Sequence, residues 1–200
     1  MFWENHKTLI VADLHVGKTG HFRKSGINVP QTVYKDDLQR LLAQILFFKA
    51  ERLIIVGDLT HSAVNKEMDL FRRWRKDFSL LQVDLVRGNH DILEESWYTA
   101  ADIHVHDEAL VEGPFTFMHD YIESKKKPEI DTYIFSGHVH PIVWLKGKGR
   151  QSFCLPCFYF SDQYAVLPAF SRFTGGYKVD VKKGDSVFAI TGKEIMALTS

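Results

Sequence analysis

Long apolar runs are missing from this 200-residue chain: no stretch approaches the ~20 residues of a membrane-spanning helix, which excludes a helical membrane protein. The opening MFWENHKTL lacks the basic start and apolar centre of a secretory signal, so a cytoplasmic location is expected. Net charge is missing as well. The 25 basic residues are matched by 25 acidic ones, so no global field draws the protein to nucleic acid or to a lipid surface, and any polyanion site has to be local. Cysteine is scarce. The two present form CLPC at 154 and 157, a spacing shared by redox and half-zinc motifs, yet no second pair exists and the flanks are apolar. Both are therefore expected to be buried packing residues. No linker, repeat or low-complexity segment divides the chain, and one domain over 1–200 is expected. The charged run ESKKKPEI at 123 to 130 reads as a solvated loop.

What is present is a succession of short apolar runs. Residues 31 to 50 carry Leu38, Leu41, Leu42, Ile45 and Leu46 at helical spacing directly after Pro30, and residues 65 to 80 carry Met68, Leu70, Phe71, Trp74 and Phe78 in the same way. With strand-like runs at 9–12, 53–56 and 83–86, the first 90 residues alternate strand and helix, which implies a parallel sheet with crossover helices. Beyond residue 100 the helical signal fades. Short strands are expected at 103–105, 115–118, 133–136, 142–145, 152–160, 164–167 and 187–190, a mixed or antiparallel second sheet. The whole reads as a four-layer α/β sandwich, two mixed sheets between outer helices, in the order α-β-β-α.

Five of these runs end in the same kind of residue. LIVADLH brings Asp13 and His15, LIIVGDLTH brings Asp58 and His61, and DLVRGNHD brings Asn89, His90 and Asp91. FTFMHD brings His119, and YIFSGHVH brings His138 and His140. Any one of them is equally a polar turn, but ligands of sheet proteins gather beyond strand ends, and five such endings together point to a site. Asp13, His15, Asp58, Asn89, His119, His138 and His140 form a mixed oxygen and nitrogen set that suits manganese, iron or zinc better than calcium or magnesium. Seven donors are too many for one tetrahedral ion and about right for two ions sharing a carboxylate. DLH and HVH each place two donors two residues apart, on one side of an extended chain.

In order and spacing, Asp13-x-His15, Gly57-Asp58, Gly88-Asn89-His90-Asp91, His119 and Gly137-His138-Val139-His140 resemble the five motifs of the calcineurin-like metallophosphoesterase superfamily. The flanks DLHVGKTGHFRKSGINVP, VRGNHD, SGHVHP, LPCFYF and VLPAFSRFTGG resemble the bacterial DNA ligase-associated, PdeM-type group more narrowly. The resemblance implies the metallophosphoesterase sandwich with two metal ions. Asp13, His15, Asp58 and His140 would hold one and Asp58, Asn89, His119 and His138 the other, with Asp58 as the bridge. It implies that His90 stabilises the transition state or protonates the leaving oxygen, oriented by Asp91. It also implies a phosphodiesterase or nuclease working on DNA beside a repair ligase or helicase.

Two cations would lower the pKa of a bridging water enough to give hydroxide near neutral pH. Lys18, His21 and Arg23 follow the first motif, where they either contact a substrate phosphate or form a solvated basic loop. A phosphomonoesterase on the same metals is the alternative activity, and a scaffold with a vestigial site is a third reading. A duplex-binding nuclease needs a basic track, for which Arg72, Arg73, Arg75 and Lys76, or Lys146, Lys148 and Arg150, are the available clusters.

Overall fold

The structure, a computed structural model, describes residues 1–30, 32–61, 64–123, 131–147, 149, 151–192 and 194–198. Residues 124–130 of the charged run, and Lys148 and Arg150 of the second basic cluster, lie outside the described residues. Among the described residues there are four α-helices: α1 (Lys18–Lys24), α2 (Thr32–Phe48), α3 (Lys66–Asp77) and α4 (Glu95–Ala100). No described helix is long and apolar enough to cross a membrane.

The first sheet holds β1 (Phe2–Trp3), β2 (Thr8–Ala12), β3 (Arg52–Val56), β4 (Gln82–Val86) and β5 (His104–His106), in that order. Strand β1 is antiparallel to β2, and β2 to β5 are all parallel. The second sheet holds β6 (Ala109–Glu112), β7 (Phe115–Met118), β8 (Tyr133–Ser136), β9 (Pro141–Lys146), β10 (Ser152–Phe160), β11 (Tyr164–Val166), β12 (Tyr177–Lys178), β13 (Ser186–Thr191) and β14 (Glu194–Leu198). Its order is β12-β9-β10-β11-β8-β7-β6, with β13 pairing to β10 and β14. Strands β7, β8 and β11 run parallel to one another, while β10 is antiparallel to each of β9, β11 and β13, so this sheet is mixed.

Side-chain alternation explains why the strands of the first sheet read as unbroken apolar runs: both faces are covered. Leu9, Val11, Leu53, Ile55, Val83 and Leu85 pack against Leu41 and Ile45 of α2, Met68 and Phe71 of α3, and Trp97 and Tyr98 of α4. The alternate residues Ile10, Ala12, Ile54, Val56 and Val86 face Phe117, Phe135, Ala165 and Leu167 of the second sheet. The two mixed sheets are thus joined through a dry interior, where each fully buried large aliphatic or aromatic side chain contributes about 1.5–3 kcal/mol. A third cluster, of Val143, Cys157, Tyr159, Val166, Val187 and Ala189, lines the far face of the second sheet. All the described helices precede residue 101, and those that share the main core cover the first sheet.

The expected helices over 31–50 and 65–80 are α2 and α3. Helices α1 and α4 were not signalled, because each is too short to show a period. Tertiary bonds hold α1 in place: Asn65 donates to the Gly17 carbonyl (2.9 Å) while accepting from the Glu67 N–H (3.0 Å) as the cap of α3. Thr19 and Arg23 both bond Glu67 of α3.

The cysteines depart from expectation. Cys157 is fully buried and Cys154 is exposed, because an offset of three along a strand sends side chains to opposite faces. Burial pushes the Cys157 thiol up to about 12, which leaves it inert. Neither a disulfide nor a shared metal site is available to the pair.

Candidate metal centre

Parallel register brings the strand ends together. Val56 at the end of β3 pairs with Ala12 of β2 on one side and Val86 of β4 on the other, and Met118, Ser136 and Val166 end β7, β8 and β11 at matching positions. The residues that follow these ends share one rim. Backbone bonds between the loops fix the rim: the His138 N–H donates to Asp13 Oδ2 (3.1 Å) and the His90 N–H to Asp58 Oδ1 (2.9 Å).

Two donor groups form across the rim, beside an outer one of Asp120, Glu123 and His138. Asp13, His15 and His140 form one, and Asp58, His119 and His138 the other, with the ligand atoms of each group within 4.8 Å of one another. In the first, His15 Nε2 is 3.4 Å from His140 Nε2, which is 3.7 Å from Asp13 Oδ1. In the second, His119 Nε2 is 3.0 Å from both Asn89 Oδ1 and His138 Nδ1. Donors about 2.1 Å from an ion lie about 3 Å apart across a right angle, so these spacings fit coordination without rearrangement. Asp58 stands between the groups, with Oδ2 4.0 Å from His15 Nε2 and Oδ1 3.6 Å from His119 Nε2. The second nitrogen of His138, Nε2, faces Glu123 at 3.5 Å.

The local backbone corrects one expectation. DLH and HVH are not extended, since Asp13, His15, His138 and His140 all have left-handed φ (54°, 48°, 67° and 49°), as does Asp58 (46°). Each such conformation costs a non-glycine residue about 1 kcal/mol or more and persists where surrounding structure imposes it. Here the tight turn after each strand aims the side chain across the rim instead of along it. At Gly57, with φ +78°, a Cβ would lie 1.7 Å from His119 Nδ1, so only glycine lets that ring close over the β3 end.

Electrostatics also fit cations. Burial, with Lys18 and neighbouring imidazoles adding to it, pushes His15 down to about 2, and burial pushes His119 down to about 4. Neutral imidazoles keep their lone pairs for metal. Burial raises Asp58 to about 8, with Asp13 and Asp91 adding to the rise and the His90 N–H opposing it. A buried carboxyl among other carboxyls has a deficit of positive charge that divalent ions would remove.

Residues 6–123 match the family model described as calcineurin-like phosphoesterase, a span that contains Asp13, His15, Asp58, Asn89 and His119. The chain belongs to that family. As a calcineurin-like phosphoesterase it is a metal-dependent enzyme that hydrolyses phosphoesters. Among solved structures it is similar to the nuclease MPE of Pseudomonas putida, with 31% identity over 98% of this chain and 90% of that one and a TM-score of 0.81. YfcE, a phosphoesterase from E. coli, is 15% identical over 92% of this chain and 88% of its own, with a TM-score of 0.48, a likeness too distant to build on. No curated protein matches the chain.

Around the phosphoesterase site the remaining candidates separate. His90 is half-buried at the rim, its ring 5.5 Å from that of His15. Asp91 does not orient it. The Asp91 carboxylate is buried and accepts from the N–H groups of Leu59 (3.3 Å), Thr60 (2.7 Å) and Gly88 (2.9 Å) and from Thr60 Oγ1 (3.0 Å), which ties the β3 and β4 loops together. Asp91→Ala should therefore cost about 3 kcal/mol or more in urea unfolding, by leaving several buried donors unpaired. A loss of turnover at unchanged stability would instead return Asp91 to the chemistry.

Lys18, in the first turn of α1, has its pKa lowered by burial, with the charges of Asp58 and Asp13 opposing the shift. His21 is exposed at the rim, 5.8 Å from the His61 ring. Arg23 is engaged elsewhere, with Glu67 at 2.7 Å and the Val29 carbonyl at 3.1 Å. Arg75 is buried too, donating to the carbonyls of Phe78, Leu81 and Asp102, so α3 carries no continuous basic track. His61, named after Asp58 in the sequence but left out of the candidate donors, packs against both His15 and His90, the three ring centroids lying 4.6, 5.2 and 5.5 Å apart. Its position three residues after Asp58 in GDLTH was the available signal.

Proposed function

We propose that the chain is a two-metal phosphodiesterase acting as a nuclease on DNA. Asp13, His15, Asp58 and His140 would hold one divalent ion and Asp58, Asn89, His119 and His138 the other, with manganese the expected metal. The observation that carries this reading is Asp58, which offers a different oxygen to each donor group. The likeness to a nuclease over nearly the whole chain supports the substrate class. A cytoplasmic place in DNA repair beside a ligase or helicase follows from the sequence resemblance and belongs to the same proposal.

When bound, the ions supply positive charge to the phosphoryl oxygens and make water acidic enough to attack near neutral pH. The chain's own residues do the rest. Lys18 would meet a non-bridging oxygen, its charge favoured by Asp58 and Asp13. His90 sits at the open side, where its imidazolium gives a proton to the departing alkoxide. His90→Asn should lower kcat about 10²- to 10⁴-fold and leave the metal content unchanged by elemental analysis. Loss of a metal equivalent in that variant would make His90 a ligand.

Among the described lysines and arginines, Lys18 is the one whose charge acts on both Asp13 and Asp58, which suits the single charge of a diester better than the near-double charge of a monoester. Manganese-loaded protein should hydrolyse bis(p-nitrophenyl) phosphate in preference to p-nitrophenyl phosphate, judged by kcat/KM. It should cut single-stranded or nicked DNA more readily than intact duplex, for want of a phosphate track. A clear preference for the monoester with no DNA cleavage would replace this reading by a phosphatase.

A further inference from the structure

The loops after β2 and β3 stay paired beyond the sheet. The His15 N–H donates to the Asp58 carbonyl (2.8 Å), the Val16 N–H to that of Leu59 (2.8 Å), and the His61 N–H to that of Val16 (3.0 Å). This ladder carries His61 to the side of His15 that faces away from the donor groups. His15 directs Nε2 toward His140 and Asp58, and its Nδ1 lies 3.4 Å from His61 Nδ1. His61 also stacks on His90, with ring centroids 4.6 Å apart and planes 27° from parallel. Phe22 lies nearly parallel to the His61 ring at 6.3 Å, and His21 meets it edge-on at 5.8 Å.

We propose that His61 is a positioning residue that holds His15 and His90 in one arrangement, a role that rests on the reading of His90 given above. An imidazole that gives one nitrogen to a metal carries its proton on the other, and the acceptor of that proton sets the ring's tautomer and orientation. His61 Nδ1 accepts from His15 Nδ1–H, which leaves His15 Nε2 bare toward the donor groups and puts the His61 proton on Nε2. The face of the same ring blocks rotation of His90. One side chain thus sets both a ligand and the proton donor, and displacing either by about 1 Å costs on the order of 10²-fold in rate.

Three variants of the full chain test this. Calorimetric titration with manganese should show binding at one of two equivalents weakened about 10- to 100-fold in both His61→Ala and His61→Phe, since both lose the acceptor. At saturating manganese, with a thymidine dinucleotide as the poor-leaving-group diester, His61→Ala should lower kcat about 10- to 100-fold with KM within about threefold. His61→Phe keeps a ring against His90 and should restore kcat to within about threefold of the wild type. In a His90→Asn background, His61→Ala should add less than about twofold, because the effect runs through His90. Unchanged manganese affinity in both His61 variants, or a kcat loss of full size in the His90→Asn background, would overturn the inference. A wild-type protein that cleaves no diester would sink the proposed function instead, and the titration would still decide the role of His61.

Discussion

Replacing Asp58 by asparagine is expected to lower kcat/KM about 10³-fold or more, equivalent to about 4 kcal/mol of transition-state stabilisation, and to weaken manganese binding at both donor groups together. The amide keeps an oxygen for the His90 N–H, so the turn after β3 should survive and the fold with it. What it removes is the second anionic oxygen. Asp58 turns Oδ2 to His15 and Oδ1 to His119, one oxygen for each group, whereas Asp13 presents the same Oδ1 to both His140 and His119. Calorimetry and turnover should fail in step, whereas loss of a donor that serves one group, such as His140, should remove one equivalent first. Two equivalents bound at wild-type affinity in Asp58→Asn would end the bridging assignment.

The second large effect is steric. Gly57 and Gly26 have nearly the same backbone, φ +78° and +82°, but a Cβ on Gly26 meets nothing within 4 Å while one on Gly57 lies 1.7 Å from His119 Nδ1. Gly26→Ala therefore measures the left-handed conformation alone, about 1 kcal/mol. Gly57→Ala adds a collision with a buried ring and should cost about 3 kcal/mol more in chemical denaturation, with manganese lost from the His119 group. Equal costs for the two substitutions would show that His119 moves aside freely, and that closure over Gly57 has no part in the site.

The strands and the two long helices were legible because burial on two faces writes continuous apolar runs, and a core-facing helix writes a 3.6-residue stripe. The seven candidate donors were legible because each follows such a run directly. The left-handed turns at Asp13, His15, Asp58, His138 and His140 were not, since none of them is glycine and the conformation is imposed by neighbouring loops. Helix α1 escaped for a similar reason, being held by Glu67 and Asn65 of another segment. Asp91 was misread because adjacency to His90 in the chain says nothing of direction, and its carboxylate turns back to the β3 loop. His61 was passed over because its partners, His15 and His90, lie 46 and 29 positions away and meet it only through the loop ladder.

The rim is assembled from segments that leave a ribosome far apart in time. When β4 has emerged the chain owns Asp13, His15 and Asp58 but neither His119 nor the HVH pair, and the inner face of the first sheet still lacks Phe117 and Phe135. A half-made chain therefore presents sticky strands together with a partial set of chelating groups, open to whatever ion is abundant. On the two-metal reading, selection of the right metal would fall to the moment when β7 and β8 dock, and a slow step there would let mismetallation and aggregation compete with maturation.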